Sequence, residues 1–285
     1  MGKTIKIKEV IAYKGMNSDM TCKGFQYEIG KSYKTDKAEL CECGFHACLN
    51  PIDVLDYYPK YKASRYFKVK LSGEITKCSM WDTNVAATEI TILEEIPYDK
   101  FLTNTEWWKN EIVLDLLYYS DGFARVKNCE RQYNFIGEDG KILSEQWFEW
   151  IGDFHDGFAR VKRKDGKFNY IGEDGKLLSE QWFYWVGDFY DGFALVGRED
   201  YLNNFIDKQG KILSNEWFDC VEYFKDGFAT VQRTNGLQNY IDKQGKILSN
   251  DWFNWVGYFC EGFARVQRTN GEWAKIDKNG KIVSE

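Results

Sequence analysis

Short apolar stretches separated by turn residues recur along the C-terminal two thirds of the chain. The segments "WFEWIGDF" (147–154) and "FARVKR" (158–163) are rich in aromatic and β-branched residues. Runs of this kind that are bounded by turn residues predict strands rather than helices. Asp-Gly and Asn-Gly pairs in "KDGK", "EDGK" and "RTNG" predict tight hairpin turns, because Gly and Asn tolerate a positive φ. The pattern therefore predicts meanders of three or four short strands.

The meander recurs with a fixed period and without insertions. A "[DE]GFA" motif opens each copy, and each opening lies 35 residues after the one before: Asp121, Asp156, Asp191, Asp226 and Glu261. A constant period over five copies is the signature of a repeat architecture. A single meander is too small to build a core, so we expect stacked copies to bury their aromatic residues. Two files are predicted to pack in this way: Trp147, Trp182, Trp217 and Trp252, and Phe123, Phe158, Phe193, Phe228 and Phe263.

The first hundred residues follow another pattern. "TIKIKEVIAYKG" (4–15), "RYFKVKLSGEI" (65–75) and "TEITILEEI" (88–96) alternate as strands do. "NPIDVLDYYP" (50–59) predicts a short helix, with Asn50 as its cap and Pro51 in its first turn. All three prolines lie at or before residue 97. We therefore expect a small α+β domain over 1–100, a linker or cap strand over 101–120, and five repeats over 121–285.

The predicted fold class is mainly β, with the α+β domain preceding an open array of β-hairpins. In this array, residues 103–119 would cap the first hydrophobic face. A five-bladed propeller is the alternative, because "EWWKNEIVLDLLYY" (106–119) resembles the strand that the last copy lacks.

Charge and composition narrow the function classes. Residues 1–100 hold 15 Lys+Arg against 14 Asp+Glu, which leaves 23 against 30 for residues 101–285, so the repeat region carries about −7. Proteins that bind nucleic acids usually present a basic face, so direct binding of DNA or RNA is not expected. No secretion leader and no long apolar run is evident, which favours a cytoplasmic protein that is not in a membrane. The eight cysteines are then expected to be thiols.

The repeats resemble the WG (KWG) repeat family, in which "GFARV", "YIDKQGKIL" and the "DGFA" turn have counterparts. The resemblance covers residues 118–285. It departs at the Trp-Gly pair that names the family, where this chain has Phe168-Asn169 and Trp273-Ala274. The resemblance implies an interaction or scaffold module that has no catalytic residues of its own.

The N-terminal region is similar to an uncharacterised domain family found at the start of many phage and prophage proteins. The resemblance rests on "YKGMNSDMTCKGFQYEIGKSY", "LCECGFHACLNPIDVLDYY" and "RYFKVKLSGEI", and spans about residues 10–97. It implies a phage or mobile-element origin and no mechanism.

Three chemical hypotheses apply to this first domain. Cys41, Cys43, His46 and Cys48 lie close enough in sequence to hold zinc, although their spacing differs from that of zinc knuckles. A cysteine nucleophile with His46 as its base is the second hypothesis. The third is an arrangement that looks like the ADP-ribosyltransferase superfamily and would bind NAD. It would use Lys14, Tyr57 or Tyr58, and Glu89. The alternative to all three is a buried structural role, with no cofactor.

Positions that break the period indicate where the repeats could specialise. The candidate binding surface consists of Trp150, Trp185, Trp255, Arg160, Leu195 and Thr230. The leading hypothesis is a non-enzymatic protein that binds another protein. It would inhibit a host defence protein that binds nucleic acid, through an acidic, aromatic surface. An enzyme in residues 1–97 with the repeats as a targeting arm, and a glycan-binding repeat protein, are the alternatives.

Overall fold

The computed structural model describes residues 4–40, 42–60, 65–77, 83–102, 113 and 117–284. The chain divides into two compact units, Met1–Trp150 and Ile151–Glu285. Short β-sheets follow a small N-terminal domain, so the predicted mainly β fold class is confirmed. No helix in the described portion of the chain is both long and apolar enough to cross a membrane.

The first unit contains an N-terminal domain and the first repeat copy. Its elements are β1 (Thr4–Met16), β2 (Thr21–Cys22), β3 (Phe25–Gln26), β4 (Ser32–Lys34), β5 (Phe45–Cys48), α1 (Pro51–Tyr57), β6 (Arg65–Lys77), β7 (Asn84–Glu95), α2 (Tyr98–Leu102), β8 (Tyr119–Ser120), β9 (Phe123–Lys127) and β10 (Tyr133–Gly137). The next strand, β11 (Trp150–His155), begins at the last residue of this unit.

One antiparallel sheet organises the N-terminal domain. Its strand order is β4-β7-β5-β1-β6, and β6 also pairs with β7, so four of the strands form a closed ring. The predicted helix is present as α1, where the Asn50 side chain accepts a hydrogen bond from the Ile52 amide at 3.0 Å. This bond satisfies an amide that would otherwise lack a partner at the helix start.

The first repeat copy packs on this domain within the first unit. Leu117, Ala124, Val126 and Ile136 belong to the same buried hydrophobic cluster as the domain's core residues. The Asn50 side chain also donates to the Lys127 carbonyl oxygen at 2.9 Å. The compact unit thus extends beyond the boundary expected near residue 100. Most of the predicted cap, 103–119, lies outside the described residues.

The second unit contains the remaining copies. Its strands after β11 are β12 (Phe158–Lys162), β13 (Phe168–Gly172), β14 (Trp185–Val186), β15 (Phe193–Gly197), β16 (Asn203–Asp207), β17 (Cys220–Val221), β18 (Phe228–Gln232), β19 (Gln238–Asp242), β20 (Trp255–Val256), β21 (Phe263–Gln267), β22 (Trp273–Asp277) and β23 (Ile282–Ser284). They form three-stranded sheets, apart from a four-stranded sheet made by β20 to β23.

The "[DE]G" pairs form the tight turns that the sequence predicts. Asp191 and Gly192 have φ values of 53° and 87°, and Tyr190 pairs with Phe193 across them. Two successive positive φ values are typical of a type I′ turn, whose twist matches that of a hairpin. The turn leaves the residues on either side of it at the tip of the hairpin.

A buried asparagine organises each of the first four copies. Asn134, Asn169, Asn204 and Asn239 share one register and have no solvent exposure. Asn204 donates to the carbonyl oxygens of Ser214 and Glu216 at 2.8 and 3.0 Å, and accepts from the Phe205 amide at 2.8 Å. The side chain therefore satisfies the backbone of the loop that follows its strand.

The buried aromatic file differs from the tryptophan file that the sequence predicts. The residues after the predicted tryptophans are fully buried: Phe148, Phe183, Phe218 and Phe253. Neighbouring residues in extended chain point to opposite sides, so each Trp is only half-buried beside its buried Phe. Arginine guanidinium groups cover three of these tryptophans, at 4.7 Å for Trp182, 4.6 Å for Trp217 and 3.7 Å for Trp252.

Consecutive copies of the second unit contact each other at equivalent positions. A side chain at Gly210 or Gly245 would overlap the carbonyl oxygen of Leu178 or Leu213 in the preceding copy. Ion pairs repeat with the same spacing, from Lys208 to Asp156 at 2.7 Å and from Lys243 to Asp191 at 2.6 Å. The hydrophobic clusters likewise combine residues of two successive copies.

Candidate functional site

An open groove crosses the hairpin tips in the second unit. Its volume is about 980 Å³, and it is lined by Asp188, Phe189, Tyr190, Val221, Glu222, Tyr223, Phe224, Lys225 and Tyr258. We call this set the tyrosine groove. The exposed fractions of Tyr190, Tyr223 and Tyr258 are 62%, 54% and 62%. Three large aromatic side chains are thus exposed to solvent along one groove.

The inward packing of neighbouring phenylalanines accounts for the exposure of these tyrosines. Phe189 packs against the rings of Phe158 and Tyr170, with centroid distances of 5.1 and 5.0 Å. Because the Phe189 ring packs against these two rings, its neighbours Asp188 and Tyr190 are the residues left exposed to solvent. Phe224 faces inward in the same way in the next copy, where its ring lies 4.7 Å from that of Phe205.

The groove combines aromatic faces with charges of both signs. The Tyr190 and Tyr223 rings meet edge to face at 5.9 Å, and the Lys225 ammonium lies 4.6 Å from the Tyr258 ring centroid. Asp188 forms an ion pair with Arg160 at 3.1 Å. Cations are attracted to the faces of aromatic rings. The groove can therefore bind cationic and aromatic side chains of a partner.

The predicted binding residues do not form one surface in the structure. Arg160 contacts the groove through Asp188, and the Thr230 carbonyl oxygen accepts from the amide of Glu222 at 3.0 Å. Leu195 is 8% exposed, because it packs in a hydrophobic cluster with Phe205 and Phe224.

The three predicted tryptophans of that surface lie on strands rather than at hairpin tips. Trp150 and Trp185 are half-buried, and the Trp185 indole lies over Gly197. Trp255 is 44% exposed, and its ring contacts that of Trp273 at 5.6 Å. None of the three lines the tyrosine groove.

The groove tyrosines are absent from the surface predicted from the sequence, although the sequence carries a signal for them. The repeat position that holds Asp153 and Asp188 in two copies holds Tyr223 and Tyr258 in the next two. The position that holds His155 in one copy holds Tyr190 in the next. Both changes lie close to the "[DE]G" turn. Because hairpin tips are exposed, aromatic residues that appear there are stronger candidates than aromatic residues within the strands.

A second site, which we call the N-terminal pocket, lies in the first unit. Its volume is about 370 Å³. Lys14, His46 and Tyr57 line it, so the structure brings these three predicted residues together. The structure does not bring Glu89 to them. Its carboxylate pairs with Lys34 at 2.8 Å and accepts from the Ser72 hydroxyl at 3.0 Å, and the Lys34 hydrogen bond lowers its pKa.

Lys14 lies at the base of this pocket and is 5% exposed. Its ammonium donates to the His46 carbonyl oxygen at 2.7 Å and lies 5.4 Å from the Tyr27 ring centroid. Burial lowers the pKa of Lys14, and the neighbouring thiols of Cys22 and Cys48 only partly oppose this effect. A lysine in this position can attract an anion or act as a neutral amine.

His46 and Tyr58 complete the polar side of the pocket. The His46 Nδ1 atom donates to the Gly44 carbonyl oxygen at 3.2 Å, and the Tyr58 hydroxyl donates to the Cys22 sulfur at 2.9 Å. Burial lowers the pKa of His46, and the positive charges of Lys14 and Lys23 add to the effect. The imidazole is therefore neutral at pH 7.

The zinc hypothesis depends on a residue that lies outside the described portion of the chain, Cys41. Of the other predicted ligands, Cys43 is half-buried and Cys48 is buried. Among the described residues, no three His, Cys, Asp or Glu side chains form a cluster that could hold a metal ion.

Family models match both regions of the chain. The model described as "Domain of unknown function (DUF7666)" matches residues 10–104. The model described as "WG containing repeat" matches residues 135–168 and 240–273. The repeat resemblance is thus confirmed, and the N-terminal domain matches a family without an assigned function. No curated protein is similar enough to this chain to count as a relative.

Solved structures resemble the chain only distantly. The computationally designed Ika8 protein shares 15% identity at a TM-score of 0.28, and the alignment covers 58% of this chain and 59% of Ika8. BamB from Moraxella catarrhalis shares 10% identity at a TM-score of 0.27, and the alignment covers 88% of this chain and 76% of BamB. The WD40 β-propeller domain of Doa1 shares 11% identity at a TM-score of 0.26, and the alignment covers 57% of this chain and 64% of that domain's chain. Similarity this low does not establish how the repeats are arranged.

Proposed function

We propose that this chain, which joins a domain of unknown function to WG repeats, is a non-enzymatic protein that binds another protein. Its tyrosine groove would receive an exposed segment of the partner that is rich in arginine and lysine. The observation that carries this proposal is the cluster of Tyr190, Tyr223 and Tyr258 at neighbouring hairpin tips.

Clustered exposed tyrosines favour a binding role over a structural one. More than half of each of these residues is exposed, whereas core aromatic residues of the same region, such as Phe205 and Tyr240, are buried. Tyrosine is enriched in the energetically dominant positions of protein interfaces, because it offers a rigid apolar face and a polar hydroxyl. The Tyr hydroxyls also allow hydrogen bonds at the rim of the groove.

The charge of the groove favours a basic partner. Lys225 already occupies the ring face of Tyr258, which is the contact that a partner's arginine would make at Tyr190 or Tyr223. Glu222 and Asp188 supply carboxylates beside these rings. The balance of 23 Lys+Arg against 30 Asp+Glu over residues 101–285 adds a long-range attraction.

A binding assay with defined peptides tests this proposal. Fluorescently labelled peptides of alternating Gly and Arg, Gly and Lys, or Gly and Glu are titrated with the full chain, and anisotropy is measured at two salt concentrations. We expect the Arg peptide to bind most tightly, the Glu peptide not to bind, and the affinity to fall as salt rises.

The chain offers a matched control for the groove. Tyr184 and Tyr201 are also exposed and meet edge to face at 6.0 Å, but neither lines the groove. Replacing Tyr190, Tyr223 and Tyr258 by serine should lower the affinity for the Arg peptide at least about tenfold. Replacing Tyr184 and Tyr201 by serine should change it less than about twofold. Equal losses in the two variants would contradict the proposal.

We extend the proposal to inhibition of a nucleic-acid-binding protein in the cytoplasm of a host cell. The support is physical: an acidic repeat region competes with phosphates for the same basic side chains. A phage or mobile-element origin, which the resemblance of the first domain implies, would supply the biological setting. After a partner protein has been identified, the chain should displace DNA or RNA from it. The variant with serine at Tyr190, Tyr223 and Tyr258 should not.

The competing hypotheses lead to different outcomes. An enzyme in the first domain would retain its activity when the groove tyrosines are replaced and lose it when Lys14 or His46 is replaced. A glycan-binding protein would bind neutral oligosaccharides through the same rings without dependence on salt.

A further inference from the structure

We propose that the N-terminal pocket binds a small aromatic carboxylic acid whose carboxylate forms an ion pair with Lys14. This inference concerns the first unit and is independent of the function proposed for the repeats. The observation behind it is a buried lysine that faces a pocket with aromatic walls.

Lys14 has no carboxylate counter-ion among the residues that the structure describes. Its ammonium donates instead to the uncharged His46 carbonyl oxygen and to the Cys22 sulfur. Glu42, the one carboxylate among the lining residues, is exposed at the rim. Burying a cation without a counter-ion is unfavourable, so a bound anion would stabilise the charged form of Lys14.

The donor geometry leaves room for a ligand. An ammonium has three donors; the His46 carbonyl oxygen uses one and the Cys22 sulfur uses a second, which leaves one for a ligand. Lys23 also lines the pocket and adds a second positive charge near its mouth. A carboxylate is a small anionic group that can accept a hydrogen bond from Lys14 and remain within the field of Lys23.

The aromatic residues that line the pocket indicate the chemistry of the part of the ligand that carries the carboxylate. Phe25, Tyr27 and Phe45 form a cluster of rings with centroid distances between 4.8 and 6.4 Å, and Tyr57 and Tyr58 also line the pocket. Flat apolar rings stack well on such surfaces. A volume of about 370 Å³ accommodates one ring or two fused rings. The ligand class is therefore an aromatic acid rather than an aliphatic one.

The test compares an acid with its neutral amide. Binding of 2-naphthoate and 2-naphthamide to the full chain is measured by isothermal titration calorimetry. The acid makes a charge-assisted hydrogen bond that the amide cannot make, so it should bind at least about tenfold more tightly. No binding of the acid, or equal binding of acid and amide, would overturn the proposal.

A lysine variant assigns the preference to one side chain. Lys14→Met keeps the length of the side chain and removes its charge, so the acid should lose its advantage over the amide. Lys164→Met, at an exposed repeat position, should bind like the original chain. A preference for the acid that survives in Lys14→Met would also overturn the proposal.

A measurement on the chain without substitutions tests the site even if the Lys14→Met variant does not fold. In two-dimensional amide NMR spectra, the acid should shift the signals of Lys14, His46 and Tyr58, whereas the repeats should be unaffected. Shifts confined to the repeats, or none, would place the ligand elsewhere and reject the site.

Discussion

At the scale of single residues, the buried asparagines account for the uniformity of the copies. Asn204 makes four hydrogen bonds to backbone groups from a fully buried position. In the same register the last copy has Ala274, which pairs with Ser284 of β23 instead of holding a loop. The polar side chain therefore occurs where a loop follows the strand and needs its carbonyl oxygens satisfied.

Asn204→Ala should destabilise the protein more than an ordinary loss of one hydrogen bond. The change leaves two carbonyl oxygens and two amides without this partner, and each unsatisfied buried group costs about 1–3 kcal/mol. We expect the free energy of unfolding in urea to fall by about 3 kcal/mol or more. Asn254→Ala, at an exposed position with one bond to the Arg268 carbonyl oxygen, should lose less than about 1 kcal/mol. Similar losses would show that the Asn204 bonds contribute little.

His46 should titrate below its ordinary range. Burial and the charges of Lys14 and Lys23 lower its pKa, so the folded state binds fewer protons than the unfolded state at mildly acidic pH. The contribution of neutral His46 to the free energy of unfolding is then fully present above about pH 6.5 and is lost as the pH decreases through the folded pKa. An NMR titration should give a midpoint below about 6.5, and Lys23→Gln should raise that midpoint. A midpoint at or above that value would refute the assignment.

At the scale of elements, backbone contact between turns sets the spacing of the copies. The Gly245 turn approaches the Leu213 carbonyl oxygen so closely that no side chain fits between them. Gly236 has the same φ of 83° but no atom within 4 Å of the position that a Cβ would take. Substitutions at both glycines incur the free-energy cost of a side chain at positive φ, but only a substitution at Gly245 also incurs the cost of a steric overlap.

Gly245→Ala should be far more destabilising than Gly236→Ala. Both place a side chain at a positive φ, which costs about 1–2 kcal/mol. Only the Gly245 variant also overlaps the preceding copy, so it must separate the two copies or distort the turn. Thermal and urea unfolding should show a loss of about 3 kcal/mol or more at Gly245, and about 1 kcal/mol at Gly236. Equal losses would mean that the copies separate without cost.

At the scale of the whole molecule, the first unit joins the N-terminal domain and the first copy in one core. Lys127 illustrates the connection: its ammonium lies 2.8 Å from the buried Asp53 carboxylate. Burial alone would lower the pKa of Lys127, but Asp53 and Asp56 outweigh that effect and raise it. Removing the first copy would leave Asp53 without its counter-ion and expose some of the hydrophobic cluster.

A fragment of residues 1–150 should therefore fold more stably than a fragment of residues 1–100. The shorter fragment loses the apolar contacts of the first copy and leaves the Asp53 charge unpaired in the domain. We expect 1–150 to unfold in one cooperative transition. The 1–100 fragment should unfold at a temperature lower by at least about 10 °C in circular dichroism scans. Coincident transitions would support a domain boundary near residue 100.

The sequence allows the repeat period, the hairpin turns, helix α1 and the long strands β1, β6 and β7 to be predicted. Each of these features rests on local rules, such as alternation, turn residues and caps. The buried aromatic file lies one residue away from its predicted position, because composition marks the Trp-Phe pair but does not show which member faces inward. Leu195 is buried rather than on the predicted surface for a similar reason: its register is variable, and variability alone does not reveal burial.

The candidate sites depend on contacts between residues distant in sequence. Lys14 and His46 converge because β1 and β5 are neighbours in one sheet, and Glu89 pairs with Lys34 elsewhere on that sheet. The tyrosine groove requires three copies to place their hairpin tips side by side. The sequence by itself determined the strands, the turns and the number of copies, since these follow from short-range periodicity. Only the tertiary structure decided which side chains are buried, which are exposed and which meet, since those outcomes depend on packing between distant segments.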